Sequence, residues 1–441
     1  MKLLPPPRSR SFLRFTALAC LAGSVPAQQA TIAPAAERKP PLAVTVTPIL
    51  GTDETLQPSP MIANLDAGDL VAGWTRWEIQ PGLIYLESFV GFLWAPAGGM
   101  SVFEVSPALY FSDLLTAPVD IAPDHTVVGG ITSTKTLQTR PFRWTPSAGF
   151  GFLDLPAGWL GVAVDVSDDG LLIGGYVQPA LFAPWQAARW NQGVVTVLGP
   201  AGKHSVVADG SDDGSVLVGE IGPTVETTHA TRWVDGVEVG LALVPGGTTS
   251  RALFVSRDGQ TAIGRALVAG QERLVRWAPG GSVASFAPPG GLLIEEINAI
   301  NSDGTAVVGA LSDDHGYGTG DWVPFLWRAS DGFHLIDALG MPDAYDRSEA
   351  TDVSDDGQRV VGNLSSWVFS PSSPPAVAFL WTEASGALDL ELLQQSAGGA
   401  PLGISTSIAM SDDGNRILVG GVPGPHPEES GSSILAFQGL P

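Results

Sequence analysis

The chain has 441 residues, with 22 basic and 45 acidic side chains and a formal net charge of −23 at pH 7. This charge argues against nucleic acid and anionic membranes as partners, because both require a cationic surface. The 54 glycines and 36 prolines, in a chain that is 44% hydrophobic, predict many turns rather than disorder.

The N-terminus has the three-part pattern of a secretory signal peptide. Basic residues precede an apolar run over residues 15–23, and "SVPA" then ends at Ala27. We therefore predict a signal peptide over residues 1–27 and export to the periplasm or the extracellular space. The chain's one cysteine, Cys20, lies inside this segment, so the mature chain is predicted to lack cysteine. Lipidation at Cys20 is the alternative.

Residues 28–41, "QQATIAPAAERKPP", have the composition of a flexible linker. Residues 42–441 are predicted to form a single domain and a monomer. No apolar run in this part of the sequence is long enough to span a bilayer, so we expect no membrane span.

Within residues 42–441 a short hydrophobic run repeatedly breaks at a polar turn and resumes into a glycine. The repeated segments cover residues 64–73, 121–130, 166–175, 210–219, 255–264, 300–309, 353–362 and 410–421. Such repetition indicates an array built from one supersecondary unit, and short strands favour a propeller over a solenoid.

The third repeat predicts the structure of that unit. "GVAVDV" leads into a turn at residues 167–170, "LLIGGYV" returns, and a loop then leads to "QAARWN", which turns at Gly193 into "VVTVLG". Alternating apolar residues interrupted by Asp-Gly or Gln-Gly are typical of hairpins, because glycine supplies the positive φ that tight turns need. The sequence therefore predicts a four-stranded antiparallel meander.

One large aromatic residue recurs in each unit. These residues are Trp94, Trp144, Trp190, Trp233, Trp277, Trp327, Trp381 and Phe437. Their spacing of 43–56 residues fits a propeller blade of about 40–50 residues with loop insertions. We expect each ring to fill a seam between neighbouring blades.

The two ends of the domain predict how the ring closes. The last repeat lacks a fourth strand, whereas an unassigned strand, "LAVTVTPIL" over residues 42–50, precedes the first. Pairing the two strands would leave no open sheet edge. We therefore predict an all-β fold, a β-propeller with eight blades closed by N- and C-terminal strands. Seven blades is the alternative, because the first two repeats lack an Asp-Gly turn.

The repeated phrases also carry a family resemblance. They are "VGFLW" (90–94), "RPFRW" (140–144), "HATRW" (229–233), "VPFLW" (323–327) and "VAFLW" (377–381). Together they resemble the bacterial exported proteins of the HAF-type extracellular repeat family, named for a His-Ala-Phe motif. The resemblance covers about residues 42–437 and implies an exported repeat protein with no established activity. The motif's histidine is present at His229 and is replaced elsewhere, so the resemblance implies no chemical role for that position.

Three acidic turns resemble the opening of a calcium-binding loop, which also needs a carboxylate at its twelfth position. Glu220 supplies that carboxylate in one turn. If calcium binds, we expect Asp209, Ser211, Asp213 and Glu220 to be its ligands. The missing ligands in the other turns favour an alternative, in which Ser and Asp bond to backbone amides and glycine adopts the left-handed conformation. No other cofactor is predicted.

The sequence contains no motif for nucleophilic or metal-dependent catalysis. There is no G-x-S-x-G elbow, and the six histidines form no H-E-x-x-H pattern. Carboxylates such as Asp313, Asp314 and Asp321 could instead serve an extracellular polysaccharide hydrolase or lyase, which is our second functional hypothesis.

The first hypothesis rests on aromatic residues outside the repeated positions. Connections between second and third strands emerge on one face of a propeller, and of the aromatic residues that fall in them, which include Tyr85 and Phe369, six are our candidates for ligand binding. They are Trp74, Trp77, Trp185, Tyr317, Trp322 and Trp367. Clustered aromatic rings on scaffolded loops suit a glycan or another exported protein. We therefore interpret the chain as a non-catalytic binding or surface-interaction module. The alternative is that these rings cap the hydrophobic ends of blades.

Overall fold

The structure is a computed structural model that describes residues 42–49, 58–78, 87–103, 114–133, 138–313, 321–337, 346–366, 375–421, 432–438 and 440. The predicted signal peptide and linker lie outside these residues. None of the helices in the described ranges is long and apolar enough to cross a membrane.

The described strands form four-stranded antiparallel units that follow one another along the chain, and a single parallel residue pair joins unit 1 to unit 2 and unit 6 to unit 7. The first strand, β1, covers Ala43–Ile49. Unit 1 contains β2 (Pro58–Asn64), β3 (Leu70–Glu78), β4 (Glu87–Ala95) and β5 (Gly99–Val102). Unit 2 contains β6 (Leu114–Ile121), β7 (Val127–Ser133), β8 (Thr139–Thr145) and β9 (Gly149–Phe152). Unit 3 contains β10 (Leu160–Val166), β11 (Leu172–Gln178), β12 (Gln186–Asn191) and β13 (Val194–Val197).

The same order continues through the middle of the chain. Unit 4 contains β14 (His204–Gly210), β15 (Val216–Gly222), β16 (His229–Val234) and β17 (Val237–Glu238). Unit 5 contains β18 (Gly247–Val255), β19 (Ala262–Val268), β20 (Gln271–Trp277) and β21 (Val283–Phe286). Unit 6 contains β22 (Leu293–Ile300), β23 (Ala306–Ser312), β24 (Trp322–Arg328) and β25 (Gly332–Leu335). Short 3-10 turns flank β21 at Pro279–Gly281 and Pro289–Gly291.

The last strands complete the series. Unit 7 contains β26 (Arg347–Val353), β27 (Arg359–Ser365), β28 (Val377–Thr382) and β29 (Gly386–Asp389). Unit 8 contains β30 (Ile404–Met410), β31 (Arg416–Gly421) and β32 (Ser432–Gln438) together with β1. A helix that the sequence analysis did not predict, α1 (Leu390–Ser396), links units 7 and 8. Its N-cap, Asp389, accepts hydrogen bonds from the amides of Glu391 and Leu392, which explains why a helix begins there.

The predicted pairing of the two chain ends is confirmed. The antiparallel register of β1 and β32 runs from Ala43 opposite Gln438 to Ile49 opposite Ser432. Unit 8 then packs against unit 1 through a buried cluster that includes Ile49, Val71 and Leu418. The described units therefore form a closed ring of sheets, the β-propeller predicted from the repeats.

Apolar clusters occupy the seams between neighbouring units. Each of the repeated aromatic residues belongs to or packs against a different one of these clusters. Trp190, Trp233 and Trp327 are fully buried. Trp381 differs, because it is only partly buried against the cluster between units 6 and 7. Sheet-on-sheet packing through one ring per seam thus accounts for the spacing seen in the sequence.

The repeated glycine of the second strand has a steric cause. In each unit the first strand contains a β-bulge, as between Val207 and Asp209, and the bulge brings its backbone close to the second strand. A β-carbon at Gly219 would lie 1.9 Å from the carbonyl oxygen of Val206, and one at Gly264 would lie 1.9 Å from that of Arg251. Only glycine fits at these positions.

The acidic turns between first and second strands share one hydrogen-bond pattern. In unit 4 the Ser211 hydroxyl donates to Asp213 Oδ1 at 2.7 Å, and the same oxygen accepts the Ser215 amide at 2.9 Å. Gly214 closes the turn with φ of 66°. The corresponding serine and aspartate make the same bonds in units 3, 5, 7 and 8. These turns are Asx-type turns that fix the hairpin geometry.

Candidate functional site

The antiparallel meander gives the ring two different faces. We call the side that carries the turns between first and second strands, and between third and fourth strands, the turn face. The loop face carries the connections between second and third strands and the links from one unit to the next. On the turn face, polar side chains bond to backbone amides and arginines of neighbouring units. On the loop face, aromatic side chains pack against nearby side chains and stay partly exposed.

The turns are joined to one another around the turn face. The amide of Asp168 donates to the carbonyl of Asp212 at 2.8 Å, the amide of Asp212 to the carbonyl of Arg257 at 3.1 Å, and the amide of Arg257 to the carbonyl of Ser302 at 2.9 Å. Further around the ring, the amide of Asp355 donates to the carbonyl of Asp412 at 2.8 Å. Neighbouring units are therefore linked by backbone hydrogen bonds as well as by their apolar seams.

Carboxylates next to the β-bulges strengthen the same links. Asp120 accepts the amide of Val166 at 2.9 Å, Asp209 accepts that of Val255 at 2.8 Å, and Asp352 accepts that of Met410 at 2.8 Å. Each of these bonds joins one unit to the next. A carboxylate that accepts a buried backbone amide stabilises a fold by about 1.5–3 kcal/mol, so these aspartates contribute to the assembly of the ring.

Arg257 and Arg416 supply cations to the acidic turns of this face. Arg257 pairs with Asp412, and its Nε lies 4.0 Å from Asp212. Arg416 lies 3.4 Å from Asp66 and 3.2 Å from Asp69, which joins unit 8 to unit 1. Burial raises the pKa of Asp66, an effect opposed by the amide of Asp412 and the charge of Arg416. The carboxylates of these turns are thus partly neutralised by the protein's own arginines.

The four candidate calcium ligands have separate protein partners. Asp209 bonds to the Val255 amide, and Ser211 and Asp213 bond to each other within their turn. The backbone amide of Ser215 and the hydroxyl of Ser211 lower the pKa of Asp213. Glu220 belongs to a separate group of side chains. Calcium binding by these residues stays a prediction.

Glu220 lies in a buried polar cluster at the loop-face end of β15. Its carboxylate accepts a hydrogen bond from the Thr228 hydroxyl at 2.5 Å, and it lies 2.8 Å from Arg251 Nε and 3.3 Å from His204 Nε2. The carboxylate therefore has a cation and a hydroxyl as partners, an arrangement that compensates a buried charge. No group of three or more His, Cys, Asp or Glu with metal-binding geometry occurs among the described residues.

Two of the six predicted aromatic residues, Trp185 and Trp322, have described side chains, and both lie on the loop face. Trp74 and Trp77 lie in β3, but their side chains are outside the described part, as are Tyr317, Trp367 and Asp314. Trp185 is half-buried and packs edge-on against Tyr176, with ring centroids 4.9 Å apart. Burial raises the pKa of the Tyr176 hydroxyl, so a neutral ring supports Trp185.

Trp322 is the second described ring of the predicted set. It begins β24, is half-buried, and lies under the guanidinium of Arg347, whose Cζ is 4.5 Å from the ring centroid. The Trp322 amide donates to the carbonyl of Asp346 at 3.0 Å, which fixes the start of the strand. The candidate carboxylates Asp313 and Asp321 lie beside this position and are exposed. A ring, a cation and carboxylates are therefore close in sequence and in fold at this point.

No protein-family model matches the chain, and no curated protein matches it. Solved structures do match its fold. TolB from Acinetobacter baumannii is 14% identical with a TM-score of 0.36, over 56% of this chain and 59% of that one. Apo prolyl oligopeptidase B from Galerina marginata is 9% identical with a TM-score of 0.50, over 89% of this chain and 55% of that one.

The β-propeller domain of the Trilobed protease from Pyrococcus furiosus is 10% identical with a TM-score of 0.46, over 76% of this chain and 94% of that domain. The chain thus spans little more than half the length of TolB and of prolyl oligopeptidase B. At these identities the likeness shows a shared β-propeller fold, and fold alone does not assign an activity.

Proposed function

We propose that this chain is an exported, non-catalytic β-propeller that binds a glycan or another exported protein through the aromatic residues of its loop face. The observation that carries the proposal is the difference between its two sets of rings. Six of the seam tryptophans are at most 7% exposed, whereas Trp185 and Trp322 are half-buried on the loop face. Half-buried rings held by neighbouring side chains offer apolar surface at little cost in ordering.

The surroundings of Trp322 support this use of the ring. Arg347 covers one side of the indole and holds the ring in place, and a ligand would contact the part of the half-buried ring that stays exposed. The exposed carboxylates Asp313 and Asp321 could accept hydrogen bonds from sugar hydroxyls or from a basic partner. Export, and membership of the HAF-type repeat family, form part of the same proposal and rest on the sequence patterns.

Retention on immobilised polysaccharides and on cell-envelope fractions tests the proposal. Trp322→Ala and Trp185→Ala should reduce retention at least about tenfold, because stacking anchors dominate such interfaces. Leu171→Ala is the matched control, since Leu171 is 39% exposed and lies on the turn face. Retention that is unchanged in both tryptophan variants would contradict the proposal. Loss on glycans alone or on envelope protein alone would identify the class of ligand.

The same polysaccharides, assayed for new reducing ends or unsaturated products, test the hydrolase or lyase hypothesis. Cleavage by the wild-type protein that is lost in Asp321→Asn would replace the binding proposal with a catalytic one. We expect binding without cleavage.

A further inference from the structure

A cleft opens between units 4 and 5 on the turn face, away from the aromatic loop face. Its volume is about 320 Å³. Buried apolar side chains, Val218, Val255 and Trp277, form its floor. Residues 239–242 and 278–281 form its sides. The volume lies in the range of pockets that hold small organic ligands.

The cleft contains a single charged residue among the described residues that line it, Arg232. Within the described part of the chain, the guanidinium of Arg232 has neither a hydrogen-bond nor an ion-pair partner. Gln260, at the edge of the cleft, presents an exposed side-chain amide. A cleft with an apolar floor, a half-buried cation and no acidic residue in its described lining is complementary to an anion with an apolar body.

Equivalent arginines in the neighbouring units show that this arrangement is local. Arg232 and Arg276 each precede the seam tryptophan of their unit. Arg276 Nε donates to the carbonyl of Gly304 in the next unit at 3.2 Å. Arg189, the equivalent residue of unit 3, packs against Gly236, where a β-carbon would lie 2.7 Å from its Cζ.

Arg189 packs against the next unit whereas Arg232 lines a cleft, because the turns that face these two arginines differ. Arg189 faces the short turn at Asp235 and Gly236 between β16 and β17. Arg232 faces the turn between β20 and β21, which is widened by the 3-10 segment Pro279–Gly281. The wider turn leaves open the space that, at the equivalent place, Arg189 fills by packing against Gly236. The cation of Arg232 therefore faces a cleft.

We propose that this cleft binds a small carboxylic acid with an apolar body. The carboxylate would pair with the Arg232 guanidinium and accept a hydrogen bond from the Gln260 amide, while the apolar body would lie against Trp277 and the two valines. A bidentate carboxylate–guanidinium pair gives orientation, and burial of the apolar body gives affinity. This site is separate from the loop face and does not depend on the proposed function.

Ligand-observed NMR titration with phenylacetate tests the site, with phenylacetamide as its uncharged isostere. Phenylacetate should bind at least about tenfold more tightly than the amide. Arg232→Met, which keeps the apolar stem, should weaken phenylacetate binding about tenfold or more. Lys203→Met removes the same charge from an exposed position and should leave the affinity within about twofold.

A second variant, Ala278→Leu, tests whether binding depends on the shape of the cleft. Ala278→Leu places added volume on the side wall and should abolish binding while the thermal midpoint stays close to that of the wild type. Equal affinity for acid and amide, full affinity in Arg232→Met, or no binding of phenylacetate at about 5 mM would each overturn the proposal.

Discussion

The turn face and the loop face are built by the same repeat, yet their side chains do different things. On the turn face, carboxylates such as Asp209 and Asp352 bond to backbone amides of the next unit. On the loop face, Trp185 and Trp322 are half-buried, with Tyr176 against the first ring and Arg347 over the second. Repetition of a residue therefore marks a role in assembly, whereas variation from unit to unit marks positions free to bind. The cleft at Arg232 shows that one altered turn can free a repeated residue from that assembly.

The repeated positions should carry the stability, and Gly219→Ala should show this most strongly. The added β-carbon would meet the carbonyl oxygen of Val206 at 1.9 Å, so the first two strands of unit 4 would have to separate. We expect the free energy of unfolding to fall by about 3–5 kcal/mol in chemical denaturation. Gly151→Ala is the matched control, since nothing lies within 4 Å of its β-carbon position. Equal effects of the two substitutions would show that the close approach is absent.

The variants Trp190→Ala and Trp185→Ala compare a seam ring with a loop-face ring in the same unit. Trp190 is fully buried, and its Nε1 donates to the carbonyl of Asp154 at 2.8 Å. Its truncation should cost about 3–5 kcal/mol. Trp185→Ala, in the same unit, should cost less than half as much, because its ring is half-buried. Similar losses for the two variants would remove the distinction between seam and loop-face rings.

The acidic turns should make the stability depend on pH. Hydrogen bonds from the Ser215 amide and the Ser211 hydroxyl lower the pKa of Asp213 from its ordinary value of 3.8. A carboxyl group with a lowered folded pKa stabilises the fold above its unfolded pKa, and this contribution disappears as the pH falls through the folded value. Asp213→Asn should therefore destabilise the protein at pH 7, by up to about 1 kcal/mol for this exposed group, and less at about pH 3. An equal effect at both pH values would contradict this.

Calcium should have the smallest effect. A site with a dissociation constant of about 10 μM would add about 2.7 kcal/mol at about 1 mM calcium, a clear rise in thermal midpoint. We expect no resolvable rise, because Asp209 and Glu220 already bond to protein groups. A calcium-dependent rise that is lost in Asp213→Asn would identify the Asp209–Glu220 segment as a metal site.

Much of the fold could be predicted from the sequence because each repeat contains local patterns, turns and aromatic spacing, that determine its hairpins. Asp-Gly turns fixed the hairpins, and the spacing of residues such as Trp190 and Trp233 indicated one ring per seam. Pairing of β1 with β32 followed from an unassigned strand at one end and a missing strand at the other.

Side-chain contacts between neighbouring units could not be predicted from the sequence in the same way. The bonds from Asp209 to Val255 and from Glu220 to Arg251 link adjacent units, and no local pattern encodes such pairs. The repeated glycine was visible, but its cause, the bulge in the facing strand, was not. The cleft at Arg232 depends on a turn some 45 residues away, and only the Pro-Gly-Gly of that turn could have hinted at it.

Assembly of the ring through the turn face and binding through the loop face should be separable by mutation. The most direct test is to measure the free energy of unfolding and the retention on envelope and glycan matrices for two variants, Asp209→Asn and Trp322→Ala. Asp209→Asn should lower stability by up to about 3 kcal/mol with retention intact, and Trp322→Ala should lower retention at least about tenfold with stability nearly unchanged. If retention falls in proportion to the free energy of unfolding in both variants, the two faces do not have separate roles.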